Sequence, residues 1–436
     1  MIVIKFINNL CTYILILQFL LGVKMNVIDL FSGGGGLTEG FLRQGFNTIA
    51  HVELDKHACS TLRTRLFYQT LKENKINDYY AYLKEEISLN QLFKDNYELL
   101  GLPSASVINQ EINYDSEKNI IKHINELIKL QDITNIDGII GGPPCQAYSC
   151  AGRGRAYENM KKDPRNYLYK HYLSFLKEFN PDFFVFENVP GMLSAKTDIE
   201  IFPDFKKNVE KLGYNIDYEL LYANDFNVLQ KRKRLIIIGH KDSNNYFNFS
   251  FDKKNDFKVW DVLKDLPKLN PGEGKDSPTS YTNKVSKYLK ETKIRTKSDV
   301  VINHSARNHN EQDREIYRRV IKAWNDDKRR IKYDELPKEL ITHKNKKSFL
   351  DRFKIVAGDL PYSHTIMAHL SKDGHYFIHP DIGQARSITV REAARLQSFP
   401  DNYKFEGPRT SQFRQVGNAV PPLMAESIAE KIKNNI

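Results

Sequence analysis

Residues 27–40 read Val-Ile-Asp-Leu-Phe-Ser-Gly-Gly-Gly-Gly-Leu-Thr-Glu-Gly. A short apolar strand, Val27–Phe31, runs into a glycine turn and then a helix start. Glycines let the backbone come close to a ligand, and a helix N-terminus favours negative groups. Glu53 lies twenty residues after Gly33, at the end of the next apolar run, Thr48–Glu53. A carboxylate at that offset can accept both hydroxyls of a ribose. A glycine turn alone is more often a plain tight connection; with the acid in place it reads as a nucleoside-cofactor site.

Outward from this unit, β-type runs alternate with helical stretches: Gly138–Ile140, Phe183–Glu187 and Leu235–Gly239 continue the series. That alternation is the signature of an α/β fold, a parallel sheet covered by helices. Residues 66–130 interrupt it with a long polar, Tyr- and Lys-rich insertion lacking strand pattern. From about 241 the chain turns Lys/Asn-rich and Pro-punctuated, with basic clusters at Lys328–Lys332 and Lys344–Lys347, and alternation returns only around Thr365–Ile378. A second domain is therefore expected at 245–385. Near the end, Thr389-Val-Arg-Glu392 is a capping box opening a helix, and Pro421-Pro422 starts a last helix with Leu423, Met424, Ile428 and Ile432 near helical spacing.

Two strand ends carry reactive side chains. Gly142-Pro-Pro-Cys-Gln-Ala-Tyr-Ser149 presents Cys145, and Phe186-Glu-Asn-Val-Pro190 presents Glu187. A thiol nucleophile and a carboxylic acid can attack and protonate an electron-poor ring. Structural cysteines usually sit within apolar elements, whereas Cys145 follows two prolines in a turn, which favours a nucleophile over an inert thiol. Glu53, Cys145 and Glu187 all fall at carboxyl ends of predicted parallel strands, the edge where open α/β sheets bind ligands. Gln230-Lys-Arg-Lys-Arg234 enters the next strand, and Arg232 and Arg234, at alternate positions, are expected on one side; a solvated basic loop is the alternative. Arg153, Arg155, Asp163 and Arg165 form a polar stretch of a length suited to a mobile lid.

Composition bounds the partners. Sixty-five Lys and Arg against 54 Asp and Glu give +11, which suits a polyanion, although general solubility explains it equally well. Four cysteines without Cys-x-x-Cys spacing argue against structural zinc and for a reducing compartment. Residues 1–24 include an apolar stretch, Tyr13–Val23, resembling a signal-peptide core. Met25 immediately precedes the first strand, so 1–24 reads as an upstream extension with Met25 as the initiator; a membrane anchor is the competing reading.

These blocks, in order, resemble a bacterial-type DNA (cytosine-5)-methyltransferase: Asp29–Gly40, Glu53, Gly142–Ser149, Phe186–Pro190, Gln230–Gly239, Arg386–Pro400 and Gln415–Pro422. The resemblance spans the scaffold from Met25 to the C-terminus and leaves 66–130 and most of 245–385 unconstrained. It implies a Rossmann-like S-adenosylmethionine-dependent methyltransferase fold with a mixed sheet. The catalytic domain would comprise 25–244 and a returning segment, 386–436, with a smaller target-recognition domain at 245–385. The cofactor would lie over Ser32, Gly33, Gly35 and Leu37, with Phe31 against the adenine and Glu53 on the ribose. Glu111 is the nearest candidate for the acid that meets the adenine amino group, where an Asp is expected; Pro144, Leu168 and Asn418 match further cofactor-side positions. Cys145 would add to cytosine C6, Glu187 would protonate N3, Arg234 would hold O2 and Arg232 would support Glu187 and the cleft. The implied partners are double-stranded DNA and a restriction endonuclease acting on the same site, with the enzyme a cytoplasmic monomer without stable membrane association. A transfer-RNA cytosine methyltransferase on the same scaffold and a catalytically dead DNA-binding protein are the rivals. The basic, aromatic 245–385 region, with Trp324, Tyr317 and Tyr333, favours a reader of DNA grooves. His364, Arg352 and the Lys344–Lys347 cluster are candidate base contacts there; a mixture of phosphate contacts and ordinary surface is the favoured alternative.

Overall fold

The computed structural model describes residues 24–144, 164–196, 199–241, 247–251, 256–275, 277–343 and 350–435. Seven strands form the main sheet: β1 (Asn26–Leu30), β2 (Asn47–Glu53), β3 (Val107–Asn109), β4 (Gly138–Gly141), β5 (Phe183–Asn188), β6 (Asn215–Tyr222) and β8 (Lys233–His240). Their order is β3-β2-β1-β4-β5-β8-β6. The first five are mutually parallel, whereas β8 runs antiparallel to both β5 and β6, so the sheet is mixed. β7 (Gln230–Lys231) pairs separately with β9 (Ser363–His364).

Both faces of the sheet are buried, which explains runs that are apolar throughout. Successive side chains point to opposite faces. Ile28, Ile139, Phe184, Phe186 and Ile237 face the helices Glu117–Leu130, Leu168–Phe179 and Ile201–Lys211 through Ile120, Ile124, Tyr172, Phe175 and Phe205. Val27, Ile140, Phe183, Val185, Ile236 and Ile238 face the other way, onto Phe41 of helix Gly36–Arg43 and onto Met424, Ile428 and Ile432 of helix Pro422–Asn435. The last helix therefore closes the sheet laid down by the first strands. Its fit is close: a Cβ on Gly40 would stand 2.3 Å from Glu426 N. Arg43 adds an ion pair to Glu426 at 3.1 Å.

The insertion at 66–130 is mostly helical, and it contains a strand that its composition did not announce. β3 has only three residues and sits at the sheet edge. β6 was also missed: it is the opposite edge, with alternation blurred by exposed positions such as Tyr218. The expected alternation at Thr365–Ile378 yields only isolated bridges at Ile378, with β9 just before it. Trp324, Tyr317 and Tyr333 are core side chains, 8%, 0% and 3% exposed, packed on helix Glu311–Asp327 and the segment around Phe353, so they are corrected from groove readers to packing residues. Within Lys328–Lys332, Lys328 pairs with Asp359 at 2.9 Å and Arg329 with Glu335. Lys344–Lys347 lies outside the described residues.

Thr389 and Glu392 make the expected capping box on helix Val390–Leu396. That helix and the residues leading into it bury three arginines among carboxylates and carbonyls. Arg395 meets Asp401 and Asp265, Arg386 meets Glu392, and Arg391 donates to the carbonyls of Ile302, Pro400 and Tyr403. Such pairs are stable only when fully satisfied; here they bolt residues 262–302 onto the returning segment. Among the described residues, no helix is long and apolar enough to cross a membrane.

Candidate active site

The glycine turn is shaped by positive backbone angles at Phe31 (φ +58°), Gly33 (+56°) and Gly35 (+77°). Ser32 closes it by donating from Oγ to Asp29 O at 2.9 Å, and Gly35 N donates to Ser32 O at 3.0 Å. From the far end of the chain, Tyr403 donates to Gly34 O at 2.7 Å, and a Cβ on Gly35 would meet that hydroxyl at 2.5 Å. Nothing stands within 4 Å of the place a Cβ would take on Gly33, so this side of the turn is open.

Glu53 faces the turn. Its Oε2 accepts from Gly33 N and its Oε1 from Asp55 N, both at 2.8 Å. Desolvation pushes its carboxyl up while these backbone bonds pull it back. Each oxygen keeps a lone pair, so the residues fit an adenosyl group: an open glycine cradle beside a carboxylate able to accept a diol. Asn109 at the end of β3 donates to the carbonyls of Glu53 and Leu54 at 3.1 and 2.8 Å, a brace that sequence reading missed. Glu111 is exposed just beyond β3, Leu168 is half-buried at the start of its helix, and Pro144 and Asn418 are exposed. Leu37 is 6% exposed, its side chain packed in the core under the sheet.

The second half of the site follows from strand direction. Because β8 is antiparallel to β5, with Glu187 opposite Ile236 and Asn188 opposite Leu235, the start of one lies beside the end of the other. Arg234 Nε thereby meets Glu187 Oε1 at 2.7 Å, with the two side chains 15% and 13% exposed. Gly142, next to Gly141 opposite Phe186, comes so close that a Cβ there would stand 2.6 Å from Glu187 Oε2. Asn188 ties the turns together, donating to Pro143 O at 3.4 Å and accepting from Val189 N at 2.8 Å. Tyr172, fully buried, bridges the strands beneath by donating toward Ile139 O and Val185 O at 2.9 and 3.1 Å. Cys145 and the stretch with Arg153, Arg155 and Asp163 lie outside the described residues.

The two arginines do not share surroundings. Arg232 is fully buried in the break between β7 and β8, donating to Ile366 O at 2.9 Å, Gly417 O at 3.0 Å and Asn418 O at 3.3 Å. Burial pushes its guanidinium well down, repulsion from Arg234 adds to this, and attraction to Glu187 partly offsets it. The expected support of Glu187 thus reaches it only through the field; the hydrogen-bonded partner is Arg234. His364 stacks on Phe377 at 5.1 Å with Nε2 2.5 Å from Tyr376 O, and Arg352 lies over Tyr333 at 3.9 Å, so both are engaged within the fold.

Residues 25–92 and 105–434 match the family model described as C-5 cytosine-specific DNA methylase. The chain is 43% identical to the type II methyltransferase M.Bpa9945I of Bacillus paralicheniformis, an alignment covering 94% of this chain and 99% of that protein. It is 32% identical to the type II methyltransferase M1.HphI of Haemophilus parahaemolyticus, covering 94% and 87%. A crystal structure described as that of a prophage-encoded DNA modification methyltransferase (E. coli) is similar with a TM-score of 0.59 at 25% identity, covering 94% and 99%. The Entamoeba histolytica methyltransferase EhMeth shares the fold at 16% identity, with a TM-score of 0.53.

Proposed function

The chain belongs to the C-5 cytosine-specific DNA methylase family, and from that membership we propose that Cys145, Glu187 and Arg234 carry its reaction. The reaction is methyl transfer from S-adenosylmethionine to C5 of cytosine in DNA. When bound, the cofactor supplies an electrophilic methyl group; Phe31, the 33–36 turn and Glu53 hold it, with Glu111, Leu168 and Asn418 as further contacts.

The observation that carries the residue assignment is the Arg234–Glu187 pair at 2.7 Å, pressed against Gly142, three residues before Cys145. Cytosine C5 is a weak nucleophile until the ring is activated. Cys145 thiolate adds to C6, and Glu187 holds a proton at N3 so that negative charge does not accumulate there. Arg234 fixes the Glu187 carboxyl through Nε, and its Nη1 donates to Lys233 O at 2.8 Å. Nη2 then serves the base carbonyl O2. Loss of the C5 proton and of Cys145 restores the ring after transfer. A stacked base cannot reach these groups, so the target cytosine is flipped out of the duplex.

Residues 245–385 serve as the target-recognition domain, with 25–244 and 386–436 forming the catalytic domain of a monomeric, cytoplasmic enzyme. Relatives that are type II methyltransferases support a place in a restriction-modification system beside an endonuclease that reads the same site. The test is bisulfite sequencing of DNA from a methylation-free host expressing the chain or its Cys145→Ser variant. Protected cytosines confined to one short motif, and absent with the variant, are expected. Protection that survives Cys145→Ser removes the nucleophile; uniform conversion by a folded, cofactor-binding wild type moves the substrate to RNA.

A further inference from the structure

Two buried glutamines outside the reacting set hold the approach to β8. Gln230, fully buried, accepts from Ile366 N at 2.8 Å through Oε1, and through Nε2 donates to Gln397 Oε1 at 3.0 Å and toward Leu396 O at 3.3 Å. Gln397, equally buried, donates from Nε2 to Val416 O at 2.7 Å. Two residues beyond Gln230, Arg232 binds the carbonyls of Ile366, Gly417 and Asn418. A Cβ on Gly417 would stand 2.4 Å from Ala368 N, so the end of helix Arg409–Asn418 touches the 363–368 segment directly.

Two segments remote in sequence, 363–368 and 396–397, are therefore fastened to Gln230, four positions before Arg234, and a third, 416–419, is reached through Gln397 and Arg232. An apolar pair would fill the same space without the cost of desolvating two amides. Satisfied buried amides earn their place by fixing one register, since a slip of a single residue reverses every side chain of a strand.

We propose that Gln230 and Gln397 are positioning residues for methyl transfer, locking β8 so that Arg234 Nε meets Glu187 and tying that register to the 363–368 segment and the helix end carrying Asn418. The proposal rests on the roles of Cys145, Glu187 and Arg234 given above. It makes the alignment of the catalytic pair depend on where the 363–368 segment sits.

The test uses the full chain, saturating S-adenosylmethionine, and duplex DNA carrying 5-fluorocytosine in the methylated motif. Fluorine at C5 blocks the final elimination, so the protein–DNA adduct accumulates and is timed on a denaturing gel. Gln230→Met and Gln397→Met are each expected to slow adduct formation about 10- to 100-fold, the size of effect that small misplacement of reacting groups produces. Dissociation constants for DNA and cofactor should stay within about threefold of wild type, because the loss lies in alignment and not in binding. The double variant should lose less than the two single losses combined, since both cut the Gln230–Gln397 bond. Adduct formation at the wild-type rate in either folded variant, or strictly additive losses, would overturn the proposal. Should Gln230→Met not fold, Gln397→Met decides alone, as it leaves the Gln230–Ile366 bond intact. A wild-type chain that forms no adduct at all instead sinks the nucleophile assignment.

Discussion

The two halves of the sheet make their halves of the site in different ways. In the parallel half, the carboxyl ends of β1, β2 and β4 line up, Leu30 opposite both Val52 and Gly141. The cofactor side then needs only neighbouring turns: Gly33 and Glu53 meet because their strands are adjacent and end together. In the other half, β8 is inserted against the grain between β5 and β6. Its beginning, not its end, reaches the functional edge, which is how Arg234 comes to face Glu187. One half is a local motif; the other exists only because of topology.

The largest effect should come from the topological half. Glu187→Gln keeps shape and removes the acid, and methyl transfer is expected to fall about a hundredfold or more, as loss of a general acid typically does. Cofactor affinity should not change. Single-turnover transfer of labelled methyl, with cofactor binding measured in parallel, checks both statements; near-normal transfer removes Glu187 from the mechanism. Glu53→Ala reverses the pattern. It deletes the acceptor for Gly33 N and Asp55 N together with the proposed ribose contact. Cofactor Kd should rise roughly ten- to a hundredfold, since hydrogen bonds to a charged group contribute about 1.5–3 kcal/mol. Transfer at saturating cofactor should remain close to wild type. Calorimetric titration reads this, and an unchanged Kd would place the ribose elsewhere.

The same division governs what the sequence discloses. The glycine turn, Glu53 and the Glu187 turn are legible because each is a short-range pattern with its own chemistry. β3 and β6 are not, being edge strands whose residues need little apolar alternation. The arginine roles were only half legible: an offset of two suggests a shared side, but the break at Arg232 sends one guanidinium to carbonyls 366, 417 and 418 and the other to Glu187. Gln230 opens a matched block, but its role carried no local signal, because its partners lie more than 130 positions away. Trp324, Tyr317 and Tyr333 misled for a related reason: aromatic composition does not separate a reading surface from the core beneath it.

A smaller effect is expected where the last helix closes the parallel half. Gly40→Ala puts a methyl group where Glu426 N and Ala425 Cβ already stand, 2.3 and 2.4 Å away. The obstruction is partly backbone, so the helices must part, at about 1–3 kcal/mol for overpacking. Urea denaturation measures the loss. Unchanged stability would mean that helix Pro422–Asn435 seats on the sheet less tightly than its contacts indicate, and the local half would need less help from the end of the chain.

The smallest effect sharpens the comparison by pH. His309, His364 and His379, all between residues 304 and 379, are pushed down to about 3, in each case chiefly by burial. In the unfolded chain a histidine titrates near 6.5. Between those values the unfolded state binds more protons, so stability rises with pH and is lost as pH falls. From pH 7.5 to 6.5 each of the three should cost about 0.4 kcal/mol, steepening below 6.5 toward about 1.4 kcal/mol per pH unit. Hydrogen exchange, corrected for its intrinsic pH dependence, should show peptides from 304–379 losing protection before β1 and β2. Equal loss in both would mean that the two regions unfold as one cooperative unit, and the division drawn from strand direction would then describe chemistry but not stability.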